Sequence, residues 1–181
     1  FFTYFDCEQL VIKPRISANA DNTFWLKKES AERFVNELEA VFSHSEFMVQ
    51  PFMSSVVDEG EFSLFYFDGQ YSHAVLKTPK ADDFRVQEEH GGRLKAITPE
   101  KSLLAQAECT LAEITKLTGE MPLYARVDFV RFSDEASSEE FALMEAELIE
   151  PSLYFNMDKN SAQRFANAFV KRMNELIAKP S

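Results

Sequence analysis

The 181-residue chain is long enough for one full domain or two small subdomains, and 45% hydrophobic content with 18 Phe supports a sizeable core. A net charge of -11 argues against nucleic-acid and anionic-membrane partners, because both need clustered Lys and Arg. Two Cys and three scattered His exclude a disulfide framework and a zinc cluster, which favours a reducing cytoplasm. The first residues carry no initiator Met and no capping signal, so we expect an N-terminal part to be missing.

The first third of the chain predicts a small sheet with one helix. A short apolar run at residues 9–13 is typical of a buried strand. Ser30 is the predicted N-cap of a helix over residues 31–42, whose apolar side chains recur at steps of three and four. Residues 47–50 predict a returning strand.

A β-hairpin is the clearest local signal in the sequence. Residues 61–67 and 70–77 are strand-like runs separated by Asp68 and Gly69. Asp-Gly supplies the positive φ angles of a type I′ turn, which favours a two-residue hairpin loop. The stretch 78–97 shows no periodic pattern, so we expect a long irregular loop there, of the kind that is often functional.

The second half of the chain predicts two helices around a second pair of strands. A helix begins at residues 98–99 and ends at Gly119, and strands are predicted at residues 123–132 and 141–149. A last helix is capped by Ser161. The apolar face of the first helix carries Leu103, Leu104, Ala107, Leu111, Ile114 and Leu117. The apolar stripe of the last helix carries Phe165, Phe169, Met173, Leu176 and Ile177. This order predicts an α+β fold with mostly antiparallel strands.

Charged residues share one face of the second strand pair. The period of two places Arg126 and Asp128 on one face of their strand, and Glu145 with Glu147 on one face of the next. If the strands pair, Asp128 and Glu147 lie side by side with no neutralising Lys between them. Such carboxylates favour a shared cation, and hard oxygen ligands suit magnesium. The alternative is a solvated outer face whose charges point to water.

Two lysines and one long loop supply further candidates. Lys13 and Lys77 each stand at the end of a predicted strand, where a Lys serves either a ligand or the protection of a sheet edge. Arg85 lies in the long loop with Gly91 and Gly92, and a Gly pair permits close approach of the backbone to a ligand.

These pieces become informative when they are taken in linear order. The chain carries Val-Ile-Lys-Pro at residues 11–14, Gly-Glu-Phe-Ser-Leu at 60–64, Lys77, Arg-Val-Asp at 126–128, and Glu147. This order resembles that of the ATP-grasp superfamily of ligases, and the resemblance covers residues 9–151.

Two segments narrow the resemblance. Residues 84–92 are similar to the Phe-Arg-x-Asn-x-x-x-Gly-Gly segment of the glutathione synthetase and ribosomal-protein glutamate ligase group, with Gln87 where that group has Asn. Residues 78–92 and 147–153 look most like the small ligases of the cycloserine pathway.

The resemblance implies both a fold and an activity. The fold would be ATP-grasp, with a small subdomain over residues 1–52 and a large subdomain over residues 53–181 that grip ATP between mostly antiparallel sheets, and an N-terminal domain missing. The activity would be a magnesium-dependent joining of a carboxylate to an amine or thiol, through an acyl phosphate, with ADP and phosphate as products. The substrates would be small acids and amines such as an amino acid or a peptide, and a homodimer is left open.

The resemblance also assigns roles to individual residues. Two side chains would act in catalysis: Arg126 would face the acyl centre, and Arg85 would face the phosphates or the substrate carboxylate. Magnesium would be held by Asp128, Glu147 and Glu150. The ATP contacts would be Lys13 and Lys77 at the phosphates, Gln50, Pro51, Phe52 and Met53 at the adenine edge, and Glu61 at the ribose hydroxyls.

Two departures from the family pattern leave a second interpretation open. The loop at residues 15–22 has no Gly, whereas many relatives close a Gly-rich loop over the phosphates. Ile149 stands two residues after Glu147, where many relatives have Asn. The alternative to a ligase is therefore a catalytically silent ATP-binding module for regulation or assembly. A plain α+β domain with charged sheet edges does not account for the order of the motifs.

Overall fold

The computed structural model describes residues 1–16, 20–80, 84–86, 91–132 and 140–178. The chain divides into two compact units, Phe1–Ser54 and Ser55–Ser181. The α-helices of the described residues are α1 (Phe2–Phe5), α2 (Val35–Phe42), α3 (Ser55–Asp58), α4 (Lys101–Thr118) and α5 (Ser161–Ala178). The strands are β1 (Gln9–Pro14), β2 (Phe24–Lys27), β3 (Phe47–Pro51), β4 (Glu61–Phe67), β5 (Gln70–Thr78), β6 (Arg93–Ile97), β7 (Tyr124–Arg131) and β8 (Phe141–Glu147). Assignment of residues 1–52 and 53–181 as ATP-grasp subdomains stays a prediction.

The first unit is built on a three-stranded antiparallel sheet of order β2-β1-β3. The central strand β1 buries Leu10, Val11 and Ile12, as its apolar run predicts. Strand β2 was not predicted, because its four residues are too few to show a period of two. Its Trp25 lies opposite Val11 in the register.

The helix of the first unit begins differently from the prediction. Residues Ala31–Phe34 form a 3-10 helix that leads into α2. Ser30 stands at the predicted N-cap position, but its side chain makes no capping bond, so that part of the prediction is wrong. The reason is its backbone conformation, with φ -130° and ψ 2°, which leaves the hydroxyl 3.5 Å from the Lys27 carbonyl oxygen instead of facing the helix amides.

The second unit is built on a five-stranded antiparallel sheet of order β6-β5-β4-β7-β8. The predicted hairpin is confirmed, since β4 and β5 flank Asp68 and Gly69 with φ angles of 48° and 74°. Strand β6 corrects the expectation of an irregular stretch through residue 97, because it pairs with β5 over residues 93–97. Its short Arg-Leu-Lys-Ala-Ile sequence is typical of a polar edge strand and carries little periodic signal.

One face of this sheet packs against α4. Leu64, Val127 and Phe129 of the sheet are fully buried against the apolar stripe of that helix. Leu117 is 87% exposed, so its predicted place on that stripe is wrong. It lies in the last turn of α4, just before Gly119, whose φ of 83° ends the helix as predicted. The opposite sheet face carries the alternate residues and therefore holds the charged side chains.

Helix α5 differs from its prediction in the role of Ser161 and in the burial of its apolar stripe. Ser161 is the first residue of the helix, and its hydroxyl donates to the carbonyl oxygens of Phe155 and Asp158 at 3.0 and 2.8 Å, so it does not act as an N-cap. Phe165 packs against Phe67, whereas the rest of the predicted stripe is between 41% and 76% exposed. Among the described residues, every helix is too short or too polar to cross a membrane.

Gly60 lies directly before strand β4, and its replacement tests how tightly the sheet is packed there. Its φ is +117°, and a Cβ at this position would lie 2.5 Å from the Lys77 carbonyl oxygen. We expect Gly60→Ala to lower the free energy of unfolding by about 2 kcal/mol or more, because strain and clash add. Gly119→Ala is the control, since its φ is +83° and it has open space around it. Urea titration should give a cost of about 1 kcal/mol there, and equal costs would contradict this account.

Candidate functional site

The sheet register brings charged residues from four strands onto one face. Glu61 at the start of β4 lies opposite Lys77 near the end of β5. Arg126 on β7 lies opposite Glu147 at the end of β8, and Asp128 lies opposite Glu145. A bulge after Asp128 shifts the β7–β8 register. The members of this charged cluster are Glu61, Lys77, Arg126, Asp128, Glu145 and Glu147.

Lys77 and Asp128 form the buried centre of the charged cluster. The Lys77 ammonium donates to Glu61 at 2.9 Å and to Asp128 at 3.1 Å. The side chains of Lys77 and Asp128 are only 5% and 1% exposed. Lys77 is therefore not an exposed residue that protects a sheet edge, which was the competing interpretation of its sequence position.

Arg126 is the second cation of the cluster. Its Nε donates to both carboxylate oxygens of Asp128, at 3.2 and 3.0 Å. Its Nη2 also contacts Glu147 and lies 3.9 Å from Glu145. The expectation that no Lys neutralises this pair of carboxylates is wrong for Asp128, because Lys77 donates to it. The sequence pattern of one strand does not reveal that Lys77 of another strand points at the same carboxylate.

The buried charges shift one another's pKa. Burial alone would raise the pKa of Asp128, but Lys77 and Arg126 hold it below its ordinary value. Burial would lower the pKa of Lys77, and the carboxylates of Asp128 and Glu61 instead raise it. Both residues are therefore charged at neutral pH.

The two remaining acids respond differently. Burial raises the pKa of Glu61, and Lys77 offsets only part of this. Burial also raises the pKa of Glu147 to about 7. Arg126 opposes this rise, and the carboxylates of Glu145 and Asp128 add to it. The cluster is thus rich in negative charge that a further cation would neutralise.

Three carboxylates of the cluster fit a hard metal ion. Asp128, Glu145 and Glu147 offer ligand oxygens that all lie within 4.8 Å of one another. Oxygen donors of this kind suit magnesium. Glu145 was not among the predicted ligands, although its shared strand face with Glu147 was the available signal. Glu150 lies beyond the end of β8, is exposed, and has a φ of 56°; its role as a ligand stays a prediction.

Comparison with known proteins shows which proteins this chain resembles in sequence and fold. No family model matches the chain. The cycloserine biosynthesis protein DcsG of Streptomyces lavendulae is 33% identical over 156 residues, which cover 80% of this chain and 48% of that protein. The crystal structure of D-cycloserine synthetase DcsG superposes with a TM-score of 0.81 at 26% identity, covering 94% of this chain and 57% of that one. The chain spans about half the length of these relatives.

The chain has the ATP-grasp fold. The same fold is found in the D-alanine–D-alanine ligase of Bacillus anthracis complexed with ATP, with a TM-score of 0.59, 15% identity, and coverage of 96% of this chain and 53% of that one. It is also found in the ATP-grasp ligase PsnB complexed with Mg and ADP, with a TM-score of 0.57, 17% identity, and coverage of 91% and 47%. The α+β ATP-grasp fold predicted from the order of the motifs is confirmed.

Several residues predicted for an ATP-grasp site lie in the first unit. Lys13 lies on β1 opposite Met48, and Gln50 and Pro51 end β3. Phe52 continues the pairing, since its amide donates to the Gln9 carbonyl at 3.0 Å. The Phe52 ring stacks on Trp25 with centroids 4.2 Å apart, and Met53 follows it. Their predicted contacts with ATP stay predictions.

The long loop is described only in part. Arg85 is half-buried between two segments that lie outside the described residues, residues 81–83 and 87–90. Gln87, which stands where the related ligases have Asn, and residues 17–19 of the Gly-free loop also lie outside the described residues. The roles predicted for this loop and for Arg85 therefore stay predictions.

The raised pKa of Glu147 gives a pH-dependent stability. Between about pH 4.5 and 7 the folded state holds a proton at Glu147 that the unfolded state has lost, so the wild type loses stability as pH rises. Glu147→Gln cannot titrate there. We expect its free energy of unfolding, relative to wild type, to increase over this interval and level off above it. Urea titrations at several pH values measure the difference, and a difference independent of pH would contradict the assigned environment.

Proposed function

We propose that the chain is the nucleotide-binding part of a magnesium-dependent ligase that joins a carboxylate to an amine or thiol. The observation that carries this proposal is the charged cluster, in which three carboxylates within 4.8 Å of one another lie beside the buried cations Lys77 and Arg126. A site that only binds adenine does not need metal-type carboxylates next to an arginine. The likeness to a D-cycloserine synthetase supports the reaction class, although the chain spans about half of that protein.

Lys77 is proposed to contact the terminal phosphates of ATP. Its ammonium is already held between Glu61 and Asp128, so it needs little reorganisation when a phosphate arrives. Glu61 would orient Lys77, in addition to its predicted contact with the ribose. Because two cations face at least three carboxylates, the cluster disfavours free ATP and favours ATP that carries a metal ion.

The metal would be held by Asp128, Glu147 and Glu145, with Glu150 as a further predicted ligand. Bound magnesium would neutralise charge on the phosphates and orient the terminal phosphoryl group. PsnB is complexed with Mg and ADP, and the D-alanine–D-alanine ligase with ATP, which supports the same pair of ligands here.

The chemistry itself needs no side-chain nucleophile. A substrate carboxylate oxygen attacks the γ-phosphorus, the bond to ADP breaks, and an acyl phosphate forms. An amine or thiol then attacks the carbonyl carbon, phosphate leaves, and the nucleophile loses a proton. Arg126 is proposed to stabilise negative charge on the acyl oxygen, and Arg85 to bind the phosphates or the substrate carboxylate.

The proposed substrates are an amino acid or a peptide, on the analogy of the D-cycloserine synthetase and the D-alanine–D-alanine ligase. In the first unit, Lys13 is proposed to reach the phosphates, and the residues proposed to meet the adenine edge are Gln50, Pro51, Phe52 and Met53. The reducing cytoplasm is the proposed compartment, because the two cysteines are free.

Trapping of the acyl phosphate separates a ligase from a silent ATP-binding module. The full-length protein, supplied with ATP, magnesium, hydroxylamine and a panel of amino acids, should form a hydroxamate with one of them. A mixed anhydride reacts readily with this small amine. Arg126→Gln should lower the rate of hydroxamate formation about a hundredfold or more, as loss of one charge-stabilising donor does. Release of ADP without hydroxamate across the panel would favour the silent module.

The metal carboxylates give a second test that needs only nucleotide binding. In wild type, magnesium should tighten ADP binding in calorimetry, and Asp128→Asn should remove most of that gain while metal-free ADP binding is retained. Because Asp128 compensates two buried cations, its loss also costs about 3–5 kcal/mol of stability. Glu147→Gln, at a partly exposed site, is the milder companion.

Glu113→Gln serves as the control for these variants, because Glu113 is an exposed residue of α4. It should bind magnesium and ADP as wild type does. A full magnesium effect in both Asp128→Asn and Glu147→Gln would remove the cluster from the proposed function.

A further inference from the structure

His73 lies on the same sheet face as the charged cluster but takes no part in it. Its β4 partner in the register is Phe65, which in turn lies opposite Arg126 on β7. The rings of His73 and Phe65 stack with centroids 4.3 Å apart and planes 8° apart. His73 is 5% exposed and Phe65 is fully buried, so this aromatic pair covers the sheet immediately beside Arg126.

The hydrogen bonds around His73 define its tautomer. Arg164 Nε donates to the Ser72 hydroxyl at 3.0 Å, so the single hydroxyl proton of Ser72 is free to donate to His73 Nδ1, 2.9 Å away. Nδ1 is then an acceptor, and Nε2 carries the proton. Nε2 donates it to the Leu153 carbonyl oxygen at 3.1 Å. Burial lowers the pKa of His73, in agreement with a neutral ring.

The Leu153 carbonyl belongs to a segment whose backbone needs support. Residues 148–154 follow directly after Glu147 at the end of β8. Glu150 and Tyr154 have φ angles of 56° and 43°, and left-handed conformations of residues other than Gly persist only where neighbouring structure holds them. Tyr154 packs edge-to-face on Phe65 with centroids 6.1 Å apart. The bond from His73 is thus one of the contacts that fix this segment to the sheet.

We propose that His73 is a positioning residue of the ligase site: its Nε2–H, by holding the Leu153 carbonyl, fixes the segment 148–154 and with it the metal carboxylate Glu147. This inference rests on the proposed function for its consequence. Glu147 stands six residues before the held carbonyl. Release of the segment would let the end of β8 move away from Asp128, so the ligand oxygens would no longer be held within metal-binding distance.

The arrangement separates a positioning role from simple packing. His73→Phe keeps a planar ring that can stack on Phe65 but loses both polar contacts. His73→Gln places an amide N–H at similar reach and can restore the bond to Leu153. Leu111→Ala is the stability control, because Leu111 is a buried residue of α4, the helix that packs on the opposite face of the sheet.

Binding of Mn2+ in the presence of ADP, followed by electron paramagnetic resonance, measures the metal site without any turnover. We expect His73→Phe to weaken Mn2+ binding about three- to tenfold, the effect of one lost hydrogen bond, and His73→Gln to restore it. Leu111→Ala should lose stability and keep its Mn2+ affinity. Amide hydrogen exchange over residues 148–155 should become faster in His73→Phe and return to the wild-type rate in His73→Gln.

The outcomes distinguish the two levels of inference. If wild type binds no Mn2+ with ADP, the proposed function fails. If wild type binds but His73→Phe binds equally well, or if Leu111→Ala weakens binding as much, the positioning role is overturned while the proposed function stands. If His73→Phe unfolds, Ser72→Ala replaces it, because loss of the hydroxyl leaves Nδ1 without its donor and should produce a smaller effect in the same direction.

Discussion

The buried carboxylate of Asp128 is the constraint on which the second unit depends. It is 1% exposed, and a carboxylate in such a place is tolerated only when it is paired and hydrogen-bonded. Arg126 supplies that compensation from the same strand, β7, and Lys77 supplies it from β5, which lies two strands away across β4. Each cation also needs its own second acid, which Glu61 and Glu147 provide. The register of four strands therefore has to be correct for every buried charge to find its partner.

Even with these ion pairs formed, the cluster keeps excess negative charge that favours the binding of a cation. Its acids outnumber its cations, and the pKa of Glu147 is raised towards neutrality by burial and by the nearby acids. Buried ion pairs contribute little net stability, because the cost of desolvation offsets much of their attraction. The stability of the unit comes instead from the other sheet face, where α4 covers a mostly apolar surface. The sheet thus separates packing from chemistry by the alternation of its residues.

The features of the fold that depend on local sequence signals could be predicted. Asp68 and Gly69 determine the hairpin, Gly119 ends α4, and a period of two places Arg126 with Asp128 on one face. The order of such motifs predicts the ATP-grasp fold, although no family model matches the chain. The burial of Lys77 and its bond to Glu61 could not be predicted, since they depend on cross-strand register and not on neighbours in sequence. Short strands such as β2 and β6 carry too few residues to show a period.

The most direct test of the account is the position of a metal ion in the second unit. A crystal of the protein with Mn2+ and ADP, measured at an X-ray wavelength where manganese scatters anomalously, locates the ion without assumptions about its ligands. The account predicts an anomalous peak within direct coordination distance, about 2.2 Å, of oxygens from Asp128 and Glu147, beside the terminal phosphate. A well-occupied ion at the nucleotide that is coordinated by other residues, with Asp128 still bonded to Lys77 and Arg126, would contradict it.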